Sequence, residues 1–189
     1  MAKHDVFNKE LSFIKQDALR DYIIDILDNV VPDYFYHIAA SSTGKYHPDY
    51  ALGEGGLVRH TQAAVRIAVG LFPLTKYAEN QKDFIVAALI LHDTFKLGEH
   101  EERYTRADHP LIAARVYQKY FDDKNLSEVG EVIGNLIVTH MGQWNKDYKT
   151  KKEILPIPSN TWQKFVHTCD YLASRKYLEF NFNVEVNRD

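Results

Sequence analysis

The sequence predicts an all-α fold in a single compact domain, and three observations lead to this expectation. Apolar residues recur every three or four positions along most of the chain, which is the spacing of one helix face. Alternation of apolar and polar residues, which would indicate strands, is nearly absent. The 189 residues, 45% of them hydrophobic, suit one domain. We therefore expect a bundle of six or seven helices.

Three helices are predicted in the first half of the chain, at residues 9–31, 57–71 and 82–96. Their apolar rows are, in chain order, Leu19, Ile23, Ile26 and Val30; Leu57, Ala64, Ile67 and Leu71; and Ile85 and Leu89. Pro32, Pro73 and Gly98 follow the three rows, and these residue types commonly end helices. Residues 37–56 form a loop that is too long for a simple connection, which indicates a functional segment.

Three more helices are predicted in the second half, at residues 110–121, 127–141 and 160–178. The first begins at Pro110, a residue that fits the first turn of a helix. The other two contain apolar rows and are bounded by breakers: Val129, Ile133 and Leu136 before Gly142, and Val166 and Ala173 after Pro156 and Pro158.

Composition narrows the classes of function. Cys169 is the only cysteine, so the chain cannot build a disulfide framework or a thiolate zinc cluster by itself. The net charge of −3 is the opposite of the basic surface that tracks nucleic acid. The sequence contains no apolar run of membrane-spanning length, and its start lacks the apolar core of a signal peptide. We therefore expect a soluble cytoplasmic protein without a membrane partner.

Several histidines and aspartates occupy positions where a helix faces the core. They are His60 and His92 on apolar rows, Asp93 and His140 at predicted helix ends, His109 before Pro110, and Asp170 within the last helix. Taken singly, each has an ordinary structural explanation, such as a core histidine bonded to a backbone carbonyl. Taken together, they form a set of imidazole and carboxylate groups that suits Mn, Fe, Co, Ni or Zn, with Mg possible. Because six ligands exceed one tetrahedral site, two ions are an open possibility.

Three other polar residues, His4, Asp5 and His167, are not expected to bind metal directly. The adjacent pair His4 and Asp5 lies in a polar N-terminal segment with no apolar row, so we do not expect it to bind metal. His167 precedes Asp170 by three residues on one helix, which suggests that it orients that carboxylate.

The order His60, His92-Asp93, His109, His140, Asp170 resembles the signature of the HD-domain superfamily of metal-dependent phosphohydrolases. Three stretches strengthen the resemblance: "GEGGLVRHT", "LHDTFKLG" and "CDYLASRKYL". The segment that ends in "GGLVRHT" is similar to one in the HD domains of 3′-to-5′ exoribonucleases and relaxase-associated proteins. The resemblance implies an HD domain at residues 35–180, preceded by an N-terminal helical segment at 1–34 that packs on it and followed by a tail at 181–189.

The resemblance also implies roles for individual residues. Metal ions would be held by His60, His92, Asp93 and Asp170, with His109 and His140 completing a second position. The positions and charges of the residues, apart from the resemblance, predict that Asp93 and Lys96 act in catalysis and that Lys45, His47, Arg103 and Arg106 bind substrate. Two ions about 4 Å apart would supply a metal-activated hydroxide and neutralise charge on phosphate oxygens.

The implied function is hydrolysis of a phosphoester or phosphoanhydride in a nucleotide or a short single-stranded nucleic-acid end. Two alternatives remain open: a di-iron oxygenase acting on a small substrate, since some superfamily members use the same ligand set, and a non-catalytic binding or sensor module. The sequence leaves the oligomeric state undetermined.

Overall fold

The computed structural model describes residues 2–41, 44 and 47–178. Seven α-helices occupy these ranges: α1 (Asn8–Leu11), α2 (Asp17–Asn29), α3 (Gly56–Leu71), α4 (Glu79–Leu91), α5 (His109–Asp122), α6 (Ser127–Ile137) and α7 (Thr161–Ala173). Short 3-10 helices lie at Lys3–Phe7, Asp33–Tyr36, Asp49–Ala51 and Phe72–Leu74. The described residues contain no strand, only an isolated bridge between Lys146 and Glu153. The all-α prediction is confirmed.

Helix α4 lies at the centre of the bundle and contacts α2, α3, α6 and α7. Every residue from Ile85 to Leu91 is fully buried. A helix that is apolar on all sides fits only where neighbours surround it. Because α4 is enclosed, the residues directly after it, His92 and Asp93, are placed inside the protein rather than on its surface.

The single helix predicted at residues 9–31 is wrong, because residues 12–16 interrupt it between α1 and α2. The buried Asp83 of α4 accepts hydrogen bonds from the backbone amides of Lys15 at 2.9 Å and Gln16 at 3.0 Å. An aspartate that bonds free amides at the start of a helix stabilises that start. This carboxylate comes from a distant part of the chain, so local periodicity could not reveal the break.

The N-terminal segment packs on the same core as the rest of the bundle. Phe7, Leu11 and Ile14 belong to the continuous apolar cluster. A buried ion pair joins α1 to α3, with Arg66 Nε donating to Glu10 Oε1 at 2.7 Å. Within the described residues, no helix is both long enough and apolar enough to cross a bilayer.

Candidate metal centre

Six side chains from five parts of the bundle meet in one place. They are His60 on α3, His92 and Asp93 directly after α4, His109 at the start of α5, His140 in the turn after α6, and Asp170 on α7. The four histidines and Asp93 are at most 2% exposed, and the side chain of Asp170 is 17% exposed. These are the six metal ligands expected from the sequence, and the fold brings all of them together.

The carboxylate of Asp93 lies between two groups of imidazoles, and each of its oxygens faces one group. Oδ2 is 3.9 Å from Nε2 of His60 and 3.7 Å from Nε2 of His92. Oδ1 is 2.9 Å from Nε2 of His109 and 3.5 Å from Nε2 of His140. A carboxylate placed in this way can contact a cation on either side.

Asp170 completes the first group, which contains His60 and His92. Its Oδ1 is 2.9 Å from Nε2 of His60 and 3.5 Å from Nε2 of His92. In the second group, the Nε2 atoms of His109 and His140 approach to 3.3 Å. Three overlapping sets have ligand atoms within 4.8 Å of one another: His60, His92 and Asp93; His92, His140 and Asp170; and Asp93, His109 and His140.

Backbone carbonyls fix the tautomer of three of the imidazoles. Each Nδ1 lies within hydrogen-bond distance of the carbonyl three residues earlier: His92 to Leu89 at 2.6 Å, His109 to Arg106 at 2.7 Å, and His140 to Ile137 at 2.8 Å. Since a carbonyl can only accept, Nδ1 carries the proton and, in the neutral ring, Nε2 keeps its lone pair. The three lone pairs point into the centre, as they do in metal sites.

The centre therefore contains many acceptors and few donors. Nε2 of His92, Oδ1 of Asp93 and Nδ1 of His60 are buried and have no hydrogen-bond partner among the residues that the structure describes. Each such atom costs about 1–3 kcal/mol when it stays unsatisfied. A coordinated cation would satisfy the nitrogen lone pair of His92 and the carboxylate oxygen of Asp93, and the oxygen and imidazole donor set suits divalent transition metals. The cluster can hold a metal ion.

The pKa directions of Asp93, Asp170 and His140 agree with coordination, whereas Asp93 and Asp170 outweigh burial and raise the pKa of His92. Burial alone would raise the pKa of Asp93, but Lys96 and the surrounding histidines outweigh it and hold that pKa well below its usual range. For Asp170, burial has the same opposing effect, and His60 and His92 likewise hold the pKa low. Burial lowers the pKa of His140, which favours the neutral ring. Both carboxylates are thus charged at neutral pH, and His140 is ready to donate a lone pair.

Lys96 lies at the edge of the centre and contacts one of its ligands. Its Nζ donates to Oδ2 of Asp93 at 2.5 Å, and its side chain is 13% exposed. The residue lies in the run of turns that follows α4, where the amide of Lys96 bonds to the carbonyl of Asp93 and that of Gly98 to Phe95. The predicted helix 82–96 therefore ends at Leu91, and tight turns place Lys96 back over Asp93.

His47 borders the centre from the loop before α3. Its ring centroid is 5.5 Å from that of His60, and its Nδ1 is buried with no hydrogen-bond partner within the described part of the chain. Burial and the neighbouring His60 and Lys96 lower the pKa of His47 to about 3, so the ring is neutral. Lys45, the other substrate-binding residue expected in this loop, lies outside the described residues.

The two arginines expected to bind substrate lie in the segment between α4 and α5. Arg106 donates to both carboxylate oxygens of Asp108 at 2.8 Å and to Glu102 at 2.5 Å. The carbonyl of Arg106 also accepts a hydrogen bond from Nδ1 of His109, so Arg106 helps to orient one imidazole of the second group. The guanidinium of Arg103 lies 5.2 Å from the ring centre of the exposed Tyr104. Substrate binding by either arginine stays a prediction.

His167 contacts His140 rather than Asp170, the residue that its helical spacing indicated. Its Nδ1 lies 2.7 Å from the carbonyl oxygen of His140, whereas the expected partner was Asp170. Gly142 makes room for this ring, because a Cβ at Gly142 would lie 2.2 Å from Cε1 of His167. The contact depends on the turn after α6. Apolar periodicity predicts helix up to residue 141 in this segment.

Replacing Gly142 by alanine should destabilise the protein and disturb His140. Gly142 has φ of +55°, a backbone region that disfavours side chains, and the new Cβ would overlap His167. Backbone strain and overpacking together should lower the free energy of unfolding by about 2–4 kcal/mol, as measured by urea denaturation.

Gly70 provides the matched control for this change. It lies inside α3, and a Cβ there would meet nothing within 4 Å. Gly70→Ala should therefore stabilise the helix by about 0.5–1 kcal/mol. Equal unfolding midpoints for Gly142→Ala and the parent would show that the turn relaxes around the methyl group and does not fix His167.

Comparisons with known proteins do not identify a relative of this chain. No family model, no curated protein and no solved structure matches it.

Proposed function

We propose that this chain is a metal-dependent phosphohydrolase of the HD-domain type, cleaving a phosphoester or phosphoanhydride of a nucleotide or a short nucleic-acid end. The observation that carries the proposal is the position of Asp93, whose two oxygens face two separate groups of imidazoles. A single structural ion would need only one of these groups. A carboxylate shared by two groups suits a two-ion site of the kind that hydrolyses phosphate esters.

Within this proposal, the ligands divide into two sets that share Asp93. His60, His92 and Asp170 would hold one ion, and His109 and His140 would hold the other. When bound, two divalent ions would lower the pKa of a water molecule and neutralise charge on the phosphate oxygens. The backbone bonds to Nδ1 of His92, His109 and His140 keep these rings in the orientation and tautomer that binding requires.

The residues around the centre fit a negatively charged substrate. The ammonium group of Lys96 lies beside Asp93, so it can steady this carboxylate and donate to a phosphate oxygen. The neutral ring of His47 has an Nδ1 to which no described residue bonds, and this atom can bond to the substrate. Arg103 is exposed in the segment between α4 and α5, and it adds a further positive charge. These groups would bind and orient a phosphate without competing for the metal.

Metal analysis of the purified protein, followed by a phosphate-release screen, tests the proposal. We expect close to two divalent ions per chain and phosphate release from at least one nucleotide with Mn, Co, Ni or Mg added. Bound iron with oxygen uptake and no phosphate release would indicate an oxygenase. Bound metal with neither activity across the nucleotide set and short 5′- and 3′-phosphorylated oligonucleotides would indicate a binding module and overturn the proposal.

Lys96→Ala should lower turnover and leave metal content unchanged. Lys96 contacts Asp93 but is not itself a ligand, because its ammonium group has no lone pair. Loss of one charged donor to a transferring phosphate typically costs about 10²–10³ in kcat. Lys124→Ala removes a lysine that pairs with Asp25 on the surface, and it should change neither quantity. Loss of metal from Lys96→Ala would show that Lys96 maintains the site rather than serving the reaction.

A further inference from the structure

An aromatic cluster lies next to the metal centre and takes no part in metal binding. The indole of Trp144 stacks on the ring of Tyr171, with centroids 5.6 Å apart and an angle of 16° between the planes. The guanidinium of Arg175 lies 4.2 Å from the centre of the Tyr171 ring and 5.7 Å from that of Trp144. We call Trp144, Tyr171 and Arg175 the aromatic platform.

The platform is held in place although it reaches the surface. The backbone amide of Trp144 donates to the carbonyl of Met141 at 3.1 Å, which joins the Trp144 backbone to the turn that carries His140, and stacking on Tyr171 orients the indole. Arg175 is held through Nη2, which donates to Oγ of Ser174 at 2.7 Å. A rigid aromatic surface loses little conformational freedom when a ligand stacks on it, which favours binding.

Trp144 nevertheless remains 45% exposed. One face of the indole packs on Tyr171, so the exposed area must come mainly from its other face and its edge. A stacked, rigid and half-exposed indole beside a guanidinium offers a planar ligand both dispersion contacts and a cation–π contact.

The platform lies close to the ligands of both ion positions. Tyr171 directly follows Asp170, and Trp144 follows His140 by four residues, a span of at most about 14 Å along the chain. His167 joins the two regions, because it bonds to the carbonyl of His140 and its ring lies 6.3 Å from that of Trp144. These short separations in the chain are of the order of the length of one nucleotide.

We propose that the aromatic platform binds the nucleobase of the substrate, stacking it on Trp144 beside Arg175 while the phosphate lies at the metal centre. This inference rests on the proposed function, and it assigns the substrate class as nucleotides rather than simple sugar phosphates. Stacking is tolerant of base identity because every base has a π face. The platform therefore selects for the presence of a base and only weakly among bases. The terminal base of a single strand presents the same chemistry as a free nucleotide.

Binding by calorimetry to the metal-loaded protein tests the platform with adenosine 5′-monophosphate and ribose 5-phosphate, which differ by the base alone. Each isotherm is corrected for any heat of turnover. The parent should bind the nucleotide at least ten-fold more tightly, which lies within the range for one stacked base. Trp144→Ala should reduce this preference to about two-fold or less and leave the affinity for ribose 5-phosphate unchanged. Trp144→Phe should restore much of the preference.

A matched control and a direct optical readout accompany these titrations. Tyr104 is an exposed aromatic that also lies beside an arginine but far along the chain from the platform, so Tyr104→Ala should keep the full preference. In a Trp162→Phe protein, Trp144 is the only tryptophan, and nucleotide should quench its fluorescence on mixing whereas ribose 5-phosphate should not. A 5′-phosphorylated dinucleotide, titrated separately, shows whether a strand end binds in the same way as a free nucleotide.

The outcomes separate the platform from the proposed hydrolysis. Equal affinity of the parent for the two ligands, or a preference that survives Trp144→Ala, would overturn the platform even if phosphate is released. A base preference that depends on Trp144, in a protein that releases no phosphate, would support the platform and remove the proposed hydrolysis.

Discussion

Asp93→Ala should yield a folded helical protein that has lost at least one metal ion and, with it, all measurable phosphate release. Asp93 is the one ligand whose oxygens face both groups of imidazoles, so its removal weakens both ion positions at once. Metal content measured on the purified protein should fall from near two ions per chain to one or fewer. Since bound ions supply several kcal/mol of transition-state stabilisation, turnover should fall at least about 10³-fold.

The fold should survive this change because Asp93 lies after α4 rather than within its packed row. The apolar residues from Ile85 to Leu91 remain fully buried in the variant, and circular dichroism should retain the helical signal. Removing a buried carboxylate leaves Lys96 without its partner at 2.5 Å, which makes some loss of stability unavoidable. Asp93→Asn keeps the shape of the side chain and separates the loss of charge from the creation of a cavity.

His4→Ala is the control for metal content. His4 bonds through Nδ1 to Asp28 at 2.7 Å rather than to a residue of the centre, and its polar N-terminal segment predicts that it is not a ligand. The variant should retain the full metal content and rate. If both Asp93→Ala and Asp93→Asn instead keep the parental metal content and full turnover at saturating metal, Asp93 is not a ligand of the proposed centre.

The inward position of the six ligands could be predicted from the sequence, because helical periodicity determines which side of a helix is buried. His60 lies on the row of Leu57 and Ala64, and it is 1% exposed in the structure. Polar residues on such rows need partners, so their number already indicated a common site. A bond from a core histidine to a backbone carbonyl was an expected arrangement, but which carbonyl each ring contacts could not be predicted, since it depends on where the helices end.

Helix ends were the least predictable part of the fold for the same physical reason. Apolar spacing continues through the tight turns after α4 and α6, so helices were predicted to residues 96 and 141 although they end at Leu91 and Ile137. The break between α1 and α2 depends on Asp83, which is 67 residues from Gln16. Side chains that act across such distances leave no local signal in the sequence.

The same limit applies to the surroundings of the centre. The pairing of Arg106 with Asp108 and Glu102, and the contact of His167 with the carbonyl of His140, both require the folded turns. The sequence indicated charge near the site in the first case and a helical neighbour of Asp170 in the second. The partner of each side chain could not be predicted from the sequence, because several possible partners lie within reach of a long or rotatable side chain.

The double change His109→Ala, His140→Ala should reduce metal content from near two ions per chain to near one and lower turnover by several orders of magnitude. These two imidazoles face Oδ1 of Asp93, whereas His60 and His92 face Oδ2. The first position keeps His60, His92, Asp93 and Asp170 in the variant. Four ligands of this kind suffice for a transition metal, so one ion should remain.

The matched variant is His60→Ala, His92→Ala, which removes two imidazoles from the opposite side of the same carboxylate. It should also lose about one ion, because the second position keeps Asp93, His109 and His140. Titration of each variant with a divalent metal, followed by elemental analysis after buffer exchange, measures both the number of ions and their ease of loss. The second position should be the weaker one, because the protein supplies it with fewer ligands.

The pair of variants decides how the centre is built. If Asp93 joins two ions, the two double variants each retain one ion and neither supports turnover, since the reaction needs both. If the parent and the His109, His140 variant instead bind one ion alike, the centre is mononuclear and Oδ1 of Asp93 serves a different purpose. His109 and His140, both at most 1% exposed with Nδ1 fixed by a carbonyl, would then face the substrate as hydrogen-bond partners. Their removal would lower turnover at unchanged metal content, a result that the two-ion arrangement does not allow.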